Sequence, residues 1–166
     1  MPVREILLLG NSALYERCEA VSPDELGALR PVVRDLRDTL LDFRVRRGAG
    51  RAVAAPQIGV MKRLVYMYID EPVVFLNPVL DEMSPGTFEL WDDCMSFPDL
   101  LVRVARHRSC HITYRDLDWN EHRRVLHDDL SELLQHECDH LDGILAVARA
   151  VGPRAFALRS QRERLV

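Results

Sequence analysis

The sequence predicts an α+β domain, and three observations carry that prediction. An amphipathic helical pattern lies near the N-terminus, a long middle stretch is rich in short β-branched and aromatic runs, and a second helical pattern precedes a basic C-terminal segment. That order implies mixed, mainly antiparallel strands packed around a central helix, with an N-terminal and a C-terminal helix at the flanks. With 166 residues, 48% apolar and 29% charged, the chain has the size and composition of one globular unit, expected to span residues 1–166.

The elements follow in chain order. Ser22-Pro23-Asp24-Glu25 reads as a capping box with proline at the first helical position. Behind it Leu26, Leu29, Val33, Leu36, Leu40 and Phe43 recur at helical spacing up to Gly48. Pro31 inside this run predicts that the first turn is separate or kinked. From Ala52 the texture is β: residues 63–69 and 73–80 are two strands parted by Asp70-Glu71-Pro72. In residues 109–116, Cys110, Ile112 and Tyr114 alternate with His111, Thr113 and Arg115, the pattern of a half-buried strand. A second helix is expected from Asp128 to Asp142, stopped by Gly143. A basic third helix is expected after Pro153.

Composition narrows the function. The apolar run Ile6-Leu7-Leu8-Leu9 is too short for a membrane span or a signal-peptide core, so no membrane role and a cytoplasmic location are expected. A net charge of −4 argues against a general DNA-binding protein. From Arg149 onward, however, five arginines face a single acid, Glu163, which marks the tail for a polyanionic partner or for a solvated face. Lys62 is the only lysine, so Schiff-base chemistry has one candidate and is set aside. Cys18, Cys94, Cys110 and Cys138 form no C-x-x-C pair, and are read as buried thiols with at most one or two functional thiolates.

The residues that carry chemistry are His136-Glu137-Cys138-Asp139-His140, an H-E-x-x-H pattern on the second helix. Two histidines four apart share a face, so both imidazoles reach one metal. On a projection with His136 at 0°, His140 falls at roughly 40° and Glu137 at roughly 100°, inside the arc filled by Leu130, Leu133, Leu134 and Leu141. A carboxylate on a buried face has its pKa raised by desolvation. That suits a general base acting on a metal-activated water near neutral pH. A catalytic metal needs a third protein ligand and an open position. Asp129, Cys94 and the histidines at 107, 111, 122 and 127 are all candidates, with Cys94 modestly favoured because thiolate and imidazole together suit iron or zinc.

These residues resemble the peptide deformylase family, and the resemblance runs nearly end to end. The family's motifs G-x-G-L-A-A-x-Q, E-G-C-L-S and H-E-x-D-H correspond in order to Gly50-Arg51-Ala52-Val53-Ala54-Ala55-Pro56-Gln57, Asp92-Asp93-Cys94-Met95-Ser96 and the 136–140 pattern. Leu76-Asn77-Pro78 also matches the family's text. The resemblance implies that Cys94, His136 and His140 bind one Fe2+ per chain, which Zn2+, Ni2+ or Co2+ can replace. It implies Glu137 as the proton carrier, and the Gln57 amide and Met95 N–H as donors to the oxyanion. Arg51, Ala52, Asp92, Asp93 and Leu133 fall where the substrate would lie.

The match departs from the family at several positions. Ala52 replaces the second glycine of the first motif, which matters if that backbone needs a positive φ. Asp92-Asp93 replaces Glu-Gly; Asp92 is expected to pair with Arg106 or Arg103, and Asp93 to tolerate left-handed geometry. Leu101 stands where the family has an arginine for the substrate peptide, with Arg103 as the nearest substitute. The turn before His136 carries Asp129, Glu132 and Leu133, more acidic than a methionine slot, although Glu132 at roughly −40° on the projection is read as facing solvent.

The leading reading is therefore a metal-dependent hydrolase that removes the formyl group from nascent formyl-methionyl peptides, with the basic C-terminal segment docking on the ribosome. The alternatives are a related hydrolase of another N-acyl amino acid or peptide, and a catalytically silent homologue that binds peptide or ribosome.

Overall fold

The computed structural model describes residues 3–166. After 3-10 turns at Ser12–Tyr15 and Pro23–Glu25, helix α1 runs over Leu26–Arg47. Strands β1 (Ala52–Ala54), β2 (Leu64–Tyr68) and β3 (Pro72–Asp81) follow, then β4 (Thr87–Asp92), β5 (Leu100–His107), β6 (Ser109–Arg115) and β7 (Glu121–His127). Helix α2 (Asp128–Leu141) and a short strand β8 (Phe156–Leu158) complete the fold. One sheet has the order β1-β2-β3-β6-β7 and the other β4-β5-β8, and every pairing within them is antiparallel.

The Glu25 half of the capping box forms: its Oε2 accepts from the Ser22 backbone N–H at 2.8 Å and from the Ser22 hydroxyl at 3.1 Å, while Glu25 N–H donates to Ser22 O rather than to the hydroxyl. The separate first turn lies ahead of the helix, which then continues through Pro31 and ends where Gly48 takes φ 69° and donates to Arg44 O. Leu29, Leu36, Leu40 and Phe43 of α1 pack on Val53, Leu64, Tyr66 and Leu76, with the Met95 side chain in the same cluster.

In β6 the alternation holds, with Cys110, Ile112 and Tyr114 buried and the residues between them half-buried. Their partners in the core include Leu133, Leu134 and Leu141 of α2. Helix α2 also touches β5 of the second sheet, and Ser131 to Leu141 are all buried. This helix therefore carries the H-E-x-x-H pattern in the interior.

A register shift between Leu76 and Val79 in β3 puts Asn77 at φ 49°. From there its side chain accepts from Val21 N–H and donates to Val21 O, both at 2.8 Å, tying down the segment before α1.

The expected C-terminal helix is corrected. Residues 156–158 pair with β5, and Arg159–Arg164 form a 3-10 turn. The reason is tertiary. The open edge of β5 supplies partners for this backbone, Arg159 N–H donates to Asp99 O, and the Arg159 side chain is fastened to Asp93 and Pro98 O. These contacts override an arginine-rich helical propensity.

Candidate active site

Helix α2 presents His136 and His140 one turn apart, and the tight turn after β4 brings Cys94 against them. The ligand atoms of these three residues lie within 4.8 Å of one another, and all three residues are buried. Cys94 Sγ is 3.3 Å from His140 Nε2. His136 Nδ1 is 2.8 Å from Asp92 Oδ2, which leaves its Nε2 for a metal. Burial opposes a charge on His136, but the Asp92 carboxylate and Cys94 outweigh it and raise the imidazole's pKa. The same negative field favours a metal cation. His140 is pushed down, by burial first and by the positive field of His136 second.

Glu137 is 3% exposed, and its Oε2 has no hydrogen-bond partner. Burial drives its pKa up to about 7 despite the opposing charge on His136. Two imidazoles, one thiolate and an unpartnered carboxylate fit a catalytic site for a borderline-soft divalent metal with an open position.

The fourth component is Gln57. Its Oε1 accepts from Ala54 N–H at 2.9 Å, which turns the amide N–H2 toward Ser96 Oγ (3.1 Å) and Cys94 Sγ (3.5 Å). The Met95 backbone N–H makes no hydrogen bond among the described residues. Ser96 N–H donates to Cys94 Sγ at 3.4 Å, a contribution the sequence reading missed.

A cavity of about 330 Å³ opens onto this cluster. Gln57, Cys94, Met95, His136 and Glu137 line it, as do Arg51, Ala52, Asp92, Asp93 and Leu133. The residues that the family motifs mark thus converge on one place, His140 joining them through its contact with Cys94.

With this geometry in view, the similarity to known proteins is informative. The family model for polypeptide deformylase matches residues 3–155. The chain belongs to the peptide deformylase family. Members of this family are enzymes that hydrolyse the N-formyl group. A peptide deformylase from Leptospira biflexa is 34% identical over 94% of this chain and 92% of its own length. Peptide deformylase 1 of Prochlorococcus marinus is 32% identical over 98% and 88%. Among solved structures, the peptide deformylase of Thermotoga maritima superposes with a TM-score of 0.83 at 27% identity, covering 92% of this chain and all of that one. The enzyme from Synechococcus elongatus in complex with actinonin gives 0.84 at 27% identity, covering 92% and 81%.

The positions where the motifs depart from the family's pattern are accommodated as follows. Asp92 pairs with Arg106 at 3.4 Å, one of the two expected partners, while Arg103 pairs with Glu89 at 2.6 Å and lies outside the reaction cavity. Arg106 in turn holds Asp139 at 2.6 Å, and Arg149 grips the same carboxylate with two bonds. Ala52 lies in β1 with an ordinary φ, so the lost glycine costs no backbone strain, and Asp93 needs no left-handed geometry either. Leu101 is fully buried core.

Glu132 does not face solvent. It is 4% exposed, and Arg51 Nη2 donates to its Oε1. Burial raises its pKa and Arg51 partly offsets that. The signal was present in the sequence, because Glu132 sits four residues before His136 and shares its face. Arg159 and Arg162 also line the cavity. No local cue points to them, since the fold of the C-terminal segment puts them there. None of the other candidate third ligands joins the cluster: Asp129 is exposed, His107 Nδ1 meets Ser84 O, and His122 meets Asp116.

Proposed function

We propose that this site removes the formyl group from the amino terminus of formylated peptides, formyl-methionyl chains among them, within a single domain spanning residues 1–166. The observation that carries the reading is the buried Glu137 carboxylate, partnerless at Oε2, on the wall of the cavity that also holds Cys94, His136 and Gln57.

Cys94, His136 and His140 would hold the metal, Fe2+ in the first instance, with Zn2+, Ni2+ and Co2+ acceptable to the same donors. When bound, the metal supplies Lewis acidity, which lowers the pKa of water and polarises the formyl carbonyl. Glu137 takes the proton from the water as its oxygen bonds to the formyl carbon. Negative charge then develops on the formyl oxygen, where the Gln57 amide and the Met95 N–H donate hydrogen bonds. Glu137 returns the proton to the peptide nitrogen as the C–N bond breaks, releasing formate and a free amino terminus. Arg51, Ala52, Asp93 and Leu133 bound the space for the first residues of the substrate, and Asp92 acts through His136.

Nascent chains as substrate imply a cytoplasmic location, and no helix among the described residues is long and apolar enough to cross a membrane. The ribosome is the partner we propose for the basic C-terminal segment. Arg154 and Arg164 are exposed and available for phosphate, whereas Arg159 is engaged by Asp93. Arg154→Glu with Arg164→Glu should abolish co-sedimentation with ribosomes at low salt; undiminished binding refutes this partner.

The deciding experiment is formate release from formyl-Met-Ala-Ser by anaerobically prepared, iron-loaded protein, beside the Glu137→Gln variant. Turnover that the variant lacks supports the reaction and the base together. Equal turnover by both removes Glu137 from the mechanism.

A further inference from the structure

We propose that Arg162, brought to the reaction cavity by the C-terminal segment, is a substrate-binding residue that favours an acidic side chain one or two residues after the formylated one. The inference rests on the deformylase reading of the site and extends it past the first residue of the peptide.

Arg159–Arg164 form a 3-10 turn, and Leu165 N–H donates to Arg162 O to close it. In that geometry side chains three apart stand in line, so Arg159, Arg162 and Leu165 make one ridge. The ridge starts at the reaction centre and leads away from it. Arg159 lines the reaction cavity and is tied at 2.5 Å to Asp93, the neighbour of Cys94. Arg162 lines both that cavity and a second one of about 590 Å³, and Leu165 lines only the second. Arg51, Asp92, Asp93 and Glu132 also border both cavities, so the two adjoin. A peptide whose formyl group is held at Cys94, His136 and Glu137 has this outer cavity as room for its following residues. Three residues of 3-10 turn cover about 6 Å, the reach of about two residues of extended peptide. Arg162 is therefore met one or two residues past the formylated one.

Charge decides what Arg162 binds there. On the wall of the reaction cavity Arg51 is paired with Glu132, Arg159 with Asp93, and His136 with Asp92. In the outer cavity Arg103 is held by Glu89. Arg162 is exposed and makes no ion pair or side-chain hydrogen bond among the described residues. Asp129, also without an ion pair, and the chain terminus at Val166 border only the outer cavity, farther along the same path. An acidic side chain opposite Arg162 gains an ion pair, whereas a lysine there meets a like charge.

The test uses formyl-Met-Ala-Ala-Ser with Glu, Gln or Lys placed at its second or at its third residue, at low ionic strength. In at least one of the two series kcat/KM for the native enzyme should fall in the order Glu, Gln, Lys. The step from Glu to Gln should be about threefold to fivefold, the size of one exposed ion pair. It should lie in KM, because Arg162 is remote from the bond that breaks, and should fade in about 0.5 M salt. Arg162→Gln should flatten the order and Arg162→Glu should reverse it. Arg34→Gln makes the same change of net charge at an exposed arginine of α1 that borders neither cavity, and should leave the order intact.

Indifference to charge or a preference for lysine at both positions overturns the proposal. So does an acid preference that survives Arg162→Gln, or one that Arg34→Gln removes equally. Absence of turnover for every peptide would instead sink the deformylase reading. Calorimetry with the same peptides on metal-loaded Glu137→Gln protein would still rank their affinities and judge Arg162 in that case.

Discussion

His136 Nδ1 sits 2.8 Å from Asp92 Oδ2, and Arg106 closes on the same carboxylate oxygen at 3.4 Å. Both residues are buried, so the contact fixes the tautomer and the angle of an imidazole that has no freedom to adjust by other means. Asp92→Ala should therefore weaken metal binding by about 10–100-fold, the usual effect of losing a carboxylate behind a metal-bound histidine. Competition with a chelator of known affinity measures it. Unchanged affinity would mean that helix α2 alone orients His136.

Gln57 should separate from the metal ligands in its behaviour. Its carbonyl is locked on Ala54 N–H and its amide faces the reacting cluster, but it is not itself among the clustered ligands. Gln57→Leu should lower kcat by about 10²–10³-fold while the metal content per chain stays the same. A parallel loss of metal would show that the amide supports Cys94 rather than the oxyanion.

One acid-sensitive element lies away from the site, in the turn between β6 and β7. Asp116 accepts from His122 Nε2 at 2.6 Å and from the backbone N–H groups of Asp118 and Asn120 at 2.9 Å. The His122 bond is the main reason its pKa falls to about 2, with the backbone bonds adding to it. A carboxylate depressed in the folded state contributes stability that is fully present above its unfolded pKa, about 4, and is lost as pH falls toward 2. The difference in urea midpoint between the native chain and Asp116→Asn should shrink as pH falls from about 4 to 2. A difference independent of pH would assign the effect to turn geometry instead of charge.

Much of this site was legible because helical spacing is a strong constraint. The 136–140 pattern put two candidate ligands on one face and Glu137 on the apolar arc, and the structure finds that carboxylate buried with its Oε2 unpartnered. The alternation at Cys110, Ile112 and Tyr114 likewise became a half-buried strand. What could not be read depended on partners distant in sequence. Glu132 looked like a solvent residue until Arg51, 81 positions away, was found to neutralise it. The C-terminal segment looked helical because its arginines favour helix, yet the unpaired edge of β5 and the carboxylate of Asp93 determine its path. Local propensity carries no information about a waiting sheet edge.

The end of α2 offers a last test, because the position of the whole ligand-bearing helix depends on how it stops. Gly143 takes φ 73°, and a Cβ added there would lie 2.4 Å from Tyr15 O. The N-terminal segment is laced to the same region, since Cys18 N–H donates to Leu141 O at 2.9 Å and Arg63 grips Leu141 O and Asp142. Gly143→Ala therefore imposes two penalties, a strained φ and a backbone clash that no side-chain rotation relieves. The expected loss is about 1–3 kcal/mol, read as a lower urea midpoint. Because the clash pushes at the C-terminal end of α2, His140 lies closer to it than His136 does. The variant should thus also lose metal more readily than an equally destabilised substitution in α1, such as Leu29→Ala. Equal metal retention at matched stability would show that the two ends of α2 move independently.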